Sequence, residues 1–279
     1  MSEPVNIFEY CQEMVNRDDR DRYLTTIFVP SSSQNPLWAL WAFNQEVAKI
    51  RENVSEPMLG EIRLQWWADA LMELKADEVR EHPVCQALHQ AKLDETIVSL
   101  LSETITARKM DVFDEGPADF AALCAYGDGV GGALQEAAYR ILTSGHSEIE
   151  GIEAARALGR AWTMLGLVRA LPFHWQAGRS YMPASVKEGM ALPDPEKAFE
   201  QLGPTIERML GYVKQQVAEC KKLISSLKKA QRKYFVPVAL VELHLETLET
   251  AGNNPFETPP HEASELKKLW KLFTYKLSA

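Results

Sequence analysis

Gly159-Arg160-Ala161-Trp162-Thr163-Met164-Leu165-Gly166-Leu167-Val168-Arg169-Ala170-Leu171-Pro172-Phe173-His174, followed closely by Gly178-Arg179-Ser180-Tyr181-Met182-Pro183, is the stretch that decides how this chain is read. Its first half continues a helix opened by Ser147 and Glu150, which fit a capping box, and expected to run to about Ala170. Its second half is different. Pro172, Gly178, Pro183, Gly189 and Pro193 give Leu171 to Asp194 the character of loop and turns. A long helix that ends on an arginine and passes into Gly-Arg-x-Tyr-x-Pro is a distinctive combination.

Helix signals continue on both sides of this stretch. Asn35-Pro36 reads as an N-cap with a proline at the first helical position, and Leu37, Leu40, Trp41, Val47 and Ile50 follow at helical spacing. Ser55 is the expected cap of a helix with Leu59, Ile62, Trp66, Ala70 and Leu74 on one face, and Asp94 precedes Ile97, Leu100, Leu101 and Ile105. Pro117 opens a further helix, and Gly127, Gly129, Gly131 and Gly132 mark a junction that is either loose or closely packed. Beyond the central stretch, Asp194-Pro195 and Gly203-Pro204 start two helices, the second through Lys229. Another is expected from about Tyr234 to Thr250, and a last one over roughly 262–277 after a turn-rich break. No segment alternates as a strand does, so the predicted fold is all-α. No linker divides the chain, and a single domain over 1–279 is expected.

Composition narrows the function. Of 279 residues, 46% are hydrophobic and 25% charged, which is ordinary for a chain with a buried core. The net charge of −9, with no basic face, argues against a nucleic-acid partner. Cys11, Cys85, Cys124 and Cys220 are scattered, so neither a zinc site nor a disulfide framework is suggested and a reducing compartment is the simple reading. The N-terminus resembles neither a signal peptide nor a transit peptide, and no run is long and apolar enough to span a bilayer. The expected location is cytoplasmic, free or peripheral on the inner membrane. Phosphate-binding glycine loops, H-E-x-x-H and G-x-S-x-G are absent, and Asp18-Asp19-Arg20-Asp21-Arg22 reads as a solvated charge run.

A second segment matches the first in character: Trp41-Ala42-Phe43-Asn44-Gln45-Glu46-Val47-Ala48-Lys49-Ile50-Arg51-Glu52, followed by Arg63-Leu64-Gln65-Trp66-Trp67. With His82-Pro83, Met110-Asp111, the Gly129–Gly132 turn and Gly178-Arg179-x-Tyr181-x-Pro183, the chain resembles the squalene/phytoene synthase family from about Tyr23 to Pro183. The resemblance implies an isoprenoid-synthase-like helical bundle around a central cavity. In active members each of two facing helices carries an aspartate motif. Carboxylates one turn apart share a helix face, and Mg²⁺ bridges them to a diphosphate and stabilises it as it departs.

Carried onto this chain, the motif positions are Ala48, Lys49 and Glu52 on the first helix and Ala170 and His174 on the second, so one carboxylate of five is left. Lys49 is expected to put positive charge where Mg²⁺ would sit. Pro172 lies between the second pair, where proline in a helix interior costs about 3 kcal/mol or more, so the helix is expected to end or kink there and 170 and 174 need not share a face. Ala42-Phe43-Asn44-x-Glu46, Val54-Ser55-Glu56, Arg63-x-Gln65-x-Trp67 and Arg169-Ala170-x-Pro172-x-His174 resemble the branch that assembles mitochondrial complex I, and its bacterial relatives. That branch is regarded as lacking synthase activity and as working at the inner membrane. A bacterial relative fits this chain's start better than a mitochondrial precursor.

Three functions follow. The first is a non-catalytic assembly factor for complex I, with its subunits or assembly intermediates as partners and no cofactor or metal. The second is an active head-to-head prenyl transferase that needs Mg²⁺ and uses relocated acids such as Glu46, Glu52, Glu56 and Asp111. The third is an isoprenoid- or lipid-binding module. Asn44, Glu46, Arg63, Gln65, Arg169, Arg179 and Tyr181 are candidate cavity or anion-binding residues. Arginine suits a phosphate and a buried carboxylate equally well, so Arg63, Arg169 and Arg179 read either way. His174 is either a cavity ligand or acid/base group, or a histidine on helix-end carbonyls. Trp38, Trp41, Trp66 and Trp67 read as pocket lining or core. In the C-terminal helix Leu266, Leu269, Trp270, Phe273 and Leu277 form a face flanked by four lysines, suited to a membrane interface or to the domain's own core.

Overall fold

The computed structural model describes residues 6–113, 116–186, 194–257 and 263–279, and every regular element among them is helical. The chain runs through α1 (Ile7–Asp18), α2 (Arg20–Thr26), α3 (Ser31–Ala48), α4 (Pro57–Lys75), α5 (Pro83–Gln90), α6 (Glu95–Ala107), α7 (Lys109–Val112) and α8 (Phe120–Gly127). A π-helical stretch, Asp128–Gly132, leads into α9 (Ala133–Leu142), α10 (Ile149–Arg169) and α11 (Leu171–Gln176). Then come α12 (Pro195–Ser226), α13 (Lys229–Arg232), α14 (Val238–Thr250) and α15 (Glu265–Ser278).

Several of these helices start where a side chain takes up a free backbone N–H. Asp94 accepts from Ile97 at 2.8 Å as expected, and Asp119 accepts from Ala122 at 2.8 Å, so α8 starts after Asp119 and not at Pro117. Other starts shift too. The helix of Leu37 and Trp41 begins at Ser31 and carries Pro36 inside it; α4 begins at Pro57 behind Glu56, one residue past Ser55. Ser147 does not cap α10, which starts after Glu148; its hydroxyl instead meets Thr143 Oγ1 at 2.7 Å. Pro204 lies inside a continuous α12, so the two expected helices are one, ending at Ser226. Gly189, Pro193 and the expected start of the last helix at 262 lie outside the described residues.

Two stripes face differently from expectation. On α4 the packed residues are Gly60, Leu64, Trp67, Ala70 and Leu71, whereas Leu59, Ile62 and Trp66 are exposed. On α15, Lys268 and Leu272 are buried and Leu269 packs beside them, while Leu266, Trp270, Phe273 and Leu277 face outward.

One apolar core joins α1, α3–α6 and α9; a second joins α10, α12 and α14. Helix α10 meets the glycine junction without side chains between. A Cβ on Gly159 would overlap the Gly131 carbonyl oxygen, and one on Gly131 would overlap Thr163 Oγ1 and the Gly159 carbonyl. The junction is closely packed, not loose. Polar ties fix the same face: Arg156 binds Asp128, Glu103 and Glu136 at 2.6, 2.7 and 2.9 Å, and Arg160 binds Asp128 at 2.8 Å and Gln216 at 2.6 Å.

The charge run 18–22 is not a solvated face. Asp21 is largely buried and holds His244 Nε2 and Lys268 Nζ at 2.7 Å each, with Arg169 at 3.7 Å, so one carboxylate ties α2 to α10, α14 and α15. Burial pulls its carboxyl up, but the hydrogen bonds from His244 and Lys268 outweigh it and hold the carboxyl well below the usual range. Asp19 caps α2 and takes Arg22 at 2.7 Å; Asp18 takes Lys49 at 2.8 Å.

Gly159→Ala is expected to cost about 3 kcal/mol, because the new methyl must push apart two packed backbones. Urea unfolding measures this. A loss below about 0.5 kcal/mol, the range of ordinary surface changes, would contradict the packing.

Candidate functional site

A cavity of about 240 Å³ opens between the end of α3 and the end of α10. Ala48, Arg51 and Glu52 enter it from the first motif segment, and Trp162, Thr163, Gly166 and Leu167 from α10. His174, Arg179 and Tyr181 enter from α11 and the loop behind it; Arg22, Arg108, Tyr126 and Val130 complete the wall.

The geometry around His174 comes from two local rules. Pro172 does not break a helix here; it sits in the first turn of α11, where its missing N–H needs no partner. Leu171–Gln176 is therefore helical rather than loop. His174 N–H donates to the Ala170 carbonyl at 3.0 Å, so 170 and 174 are one turn apart, contrary to expectation. The helix then stops in a Schellman arrangement. Gly178 has φ +67°, its N–H donates to Trp175 O at 3.1 Å, and Arg179 N–H donates to His174 O at 2.9 Å. That turn folds Gly178-Arg179-x-Tyr181 back over α11. The Tyr181 ring lies against His174 (4.6 Å between centroids) and near Tyr126 (5.8 Å).

The sequence-predicted residues divide into groups. Ala48, Glu52, His174, Arg179 and Tyr181 meet in the cavity; Lys49 and Ala170 do not line it. Lys49 is turned onto Asp18, so its charge is not where a motif cation would be. Arg169 pairs with Asp21 outside the cavity. Asn44 is buried behind it and accepts from Arg108 Nη2 at 3.1 Å. Glu46 and Arg63 line a second cavity of about 260 Å³ with Trp66, Trp67 and His82. Gln65 is exposed and donates to Asp69 at 2.7 Å. Of the relocated acids, Glu56 is exposed ahead of α4, and Asp111 is buried under Arg108 Nη1 (2.8 Å) and the Tyr126 hydroxyl (2.7 Å). Trp38 and Trp41 are core; Trp66, at 37% exposure, is not.

Mg²⁺ does not fit this donor set. Among the described residues Glu52 is the only carboxylate in the wall, against four guanidiniums, and magnesium demands oxygen ligands at near-octahedral positions. Among the described residues no three of His, Cys, Asp and Glu come together as a metal cluster. Burial, helped by Arg179, pushes His174 down to about 4, so its imidazole is neutral at pH 7. Tyr181 and Tyr126 are raised by burial and stay protonated.

Residues 15–269 match the model for squalene/phytoene synthase. The chain belongs to the squalene/phytoene synthase family. Solved structures of similar fold include a dehydrosqualene synthase in complex with ligand, at TM-score 0.80 and 17% identity, covering 98% of this chain and 96% of that one. A squalene synthase from Alicyclobacillus acidocaldarius gives 0.73 and 18%, covering 91% and 98%. Relatives by sequence bear the name NADH dehydrogenase (ubiquinone) complex I, assembly factor 6. The one from Bos taurus is 27% identical over 63% of this chain, and the homolog from Dictyostelium discoideum 22% identical over 90% of this chain and 72% of its own length. The chain's match spans about half, 53%, of the length of the mammalian relative.

This squalene/phytoene synthase family member departs from the sequence reading in which residues carry the cavity's charge. Arg22, Arg51, Arg108 and Trp162 line the cavity without belonging to the candidate residues that the motifs indicate. Arg22 lies in the charge run, and only the contacts of α2 with Trp41 and Trp162 (4.9 and 5.5 Å from its guanidinium) turn it inward. Arg108 stands three residues before Asp111, a spacing that pairs them on a helical turn.

His174 also predicts a pH effect. Its folded value lies below the ordinary 6.5, so between 6.5 and about 4 the unfolded chain binds the extra proton and stability falls as pH falls. In urea unfolding at pH 7 and pH 4.5, the wild type should lose on the order of 2 kcal/mol more than His174→Gln. Equal losses would contradict a buried neutral imidazole.

Proposed function

We propose that this squalene/phytoene synthase family member is non-catalytic and acts as an assembly factor for respiratory complex I, with complex I subunits or assembly intermediates as its partners. The observation that carries the reading is the cavity wall: two motif positions are Ala48 and His174, and four arginines face the remaining Glu52. Ionising a prenyl diphosphate by the family's route needs carboxylate-held Mg²⁺, which this wall does not supply. The transferase alternative loses support for the same reason, since Glu46, Glu56 and Asp111 do not meet in the cavity. Relatives named as assembly factors support the role. Fold alone does not decide it, because function is set by the site.

The finer place of work is a membrane surface. No helix among the described residues is long and apolar enough to cross a membrane. The observation favouring a surface is α15, whose Leu266, Trp270, Phe273 and Leu277 are exposed along one stripe, Trp270 at 66%. Its lysines contribute less than their number suggests. Lys268 is held by Asp21, Lys271 by Glu246 at 2.9 Å, and Lys276 by the Phe28 carbonyl.

Deleting the gene in its source organism should lower NADH:ubiquinone oxidoreductase activity and leave partly assembled complex on native gels. Normal activity and normal assembly would end the complex I reading. In liposome flotation the wild type should rise with vesicles and Trp270→Ser with Phe273→Ser should not. Equal flotation would remove α15 from the account.

A further inference from the structure

Helix α4 carries an apolar ridge that stays exposed. Met58, Ile62 and Trp66 stand one helical turn apart with Leu59 beside them, and Met58 is 68% and Ile62 58% exposed. Side chains at this spacing form the ridge that packs into the groove of another helix. An exposed apolar patch bordered by polar groups marks an interaction surface.

The ridge is preorganised at its far end. Arg80 lies over the Trp66 ring, 4.7 Å from its centroid, and donates to the Trp66 carbonyl at 2.8 Å. Trp67 and His82 meet the same ring in T-shaped contacts at 5.0 and 5.7 Å. A tryptophan held in place and partly in solvent is an anchor that loses little freedom on binding. Trp66 also borders the cavity of about 260 Å³, where Glu46 has no hydrogen bond or ion pair with a described residue.

Charge decides what covers this ridge. From residue 56 to residue 69 the chain carries Glu56, Glu61 and Asp69 against Arg63 alone, and all of them are exposed. Glu46 adds to the acidic border. Such a border repels an anionic bilayer, unlike the lysines that flank α15. A second copy is also a poor match. Its α15 stripe is apolar, but Lys268, Lys271 and Lys276 are already held by Asp21, Glu246 and the Phe28 carbonyl.

We infer that the exposed face of α4 binds a basic amphipathic helix of another protein. The helix lays its apolar side on Met58, Ile62 and Trp66 and its lysines or arginines on the acids alongside. The inference rests on the assembly reading only for the identity of that protein. The face is tested without complex I, so its failure is distinct from a failure of the gene-deletion experiment.

Fluorescence anisotropy with the full chain tests it. The probe is a labelled helical peptide of leucine, alanine and lysine, apolar on one face; the control peptide has glutamate in place of lysine. Saturable binding of the lysine peptide is expected, about ten-fold or more tighter than the control and weaker as salt rises. Met58→Ser with Ile62→Ser should weaken it about ten-fold or more, because two apolar side chains no longer leave water. Glu56→Lys with Glu61→Lys should reverse the preference between the peptides. These side chains are exposed, so both variants should melt like the wild type. Trp270→Ser with Phe273→Ser should bind as the wild type does. Equal binding of the two peptides, unchanged affinity in either α4 variant, or an equal loss in the α15 variant would overturn the inference. Sedimentation velocity would overturn it too if the wild type alone self-associates and the Met58 and Ile62 variant does not, since the occupant is then a second copy. Loss of vesicle flotation in that variant would assign the face to a membrane, with the same consequence.

Discussion

The backbone contact between Gly131 and Gly159 is the constraint on which the rest of the molecule depends. Two peptide backbones approach so closely that neither residue has room for a Cβ. This places α10 directly on the π-helical stretch, so Val130 on one side and Trp162, Thr163 and Gly166 on the other become walls of one cavity. The Arg156 and Arg160 ion pairs tie α10 to α6, α9 and Asp128, and a hydrogen bond from Arg160 to Gln216 ties it to α12, which holds the contact in register. Removing one partner of such a half-buried network leaves the others uncompensated, which favours keeping it whole.

An isoprenoid-synthase fold is retained at TM-score 0.80 to a dehydrosqualene synthase, although only 17% of residues are identical. The two motif segments end at the cavity, and Gly178-Arg179-x-Tyr181 turns back over α11 beside it. What differs is which ions the wall can hold. At the positions the family resemblance assigns to its motifs, Ala48 and His174 offer no carboxylate oxygen, and four arginines line the same space. Guanidiniums lining the same space oppose a bound Mg²⁺ by the Coulomb term.

Much of the fold was legible in the sequence because the signals were local. The period of Ile97, Leu100, Leu101 and Ile105 and the Asp94 cap needed no partner to be read, and both hold. Pro172 was read for the wrong rule: proline breaks a helix interior but opens a helix, and the choice depends on where α10 stops. The faces of α4 and α15 were misplaced because period alone does not say which arc meets a neighbour; Leu64 and Trp67 turn inward in place of Ile62 and Trp66. The site was legible at Ala48, Glu52, His174, Arg179 and Tyr181, which lie near one another within motifs. It was not legible at Arg22 and Arg108, which arrive from distant helices. Nor could the sequence show that Lys49 and Arg169 are spent on Asp18 and Asp21, since an ion pair across helices leaves no spacing to find.

The central claim is that the family cavity here carries no divalent-metal site. Mn²⁺ is a good stand-in for Mg²⁺ and its free form is read directly by electron paramagnetic resonance. Titrating the full chain with Mn²⁺ in the presence of inorganic diphosphate is the most direct measurement. The account predicts that the free-ion signal follows the diphosphate-only control at every protein concentration. Stoichiometric loss of that signal with added protein, reversed when Glu52→Gln is substituted, would contradict it.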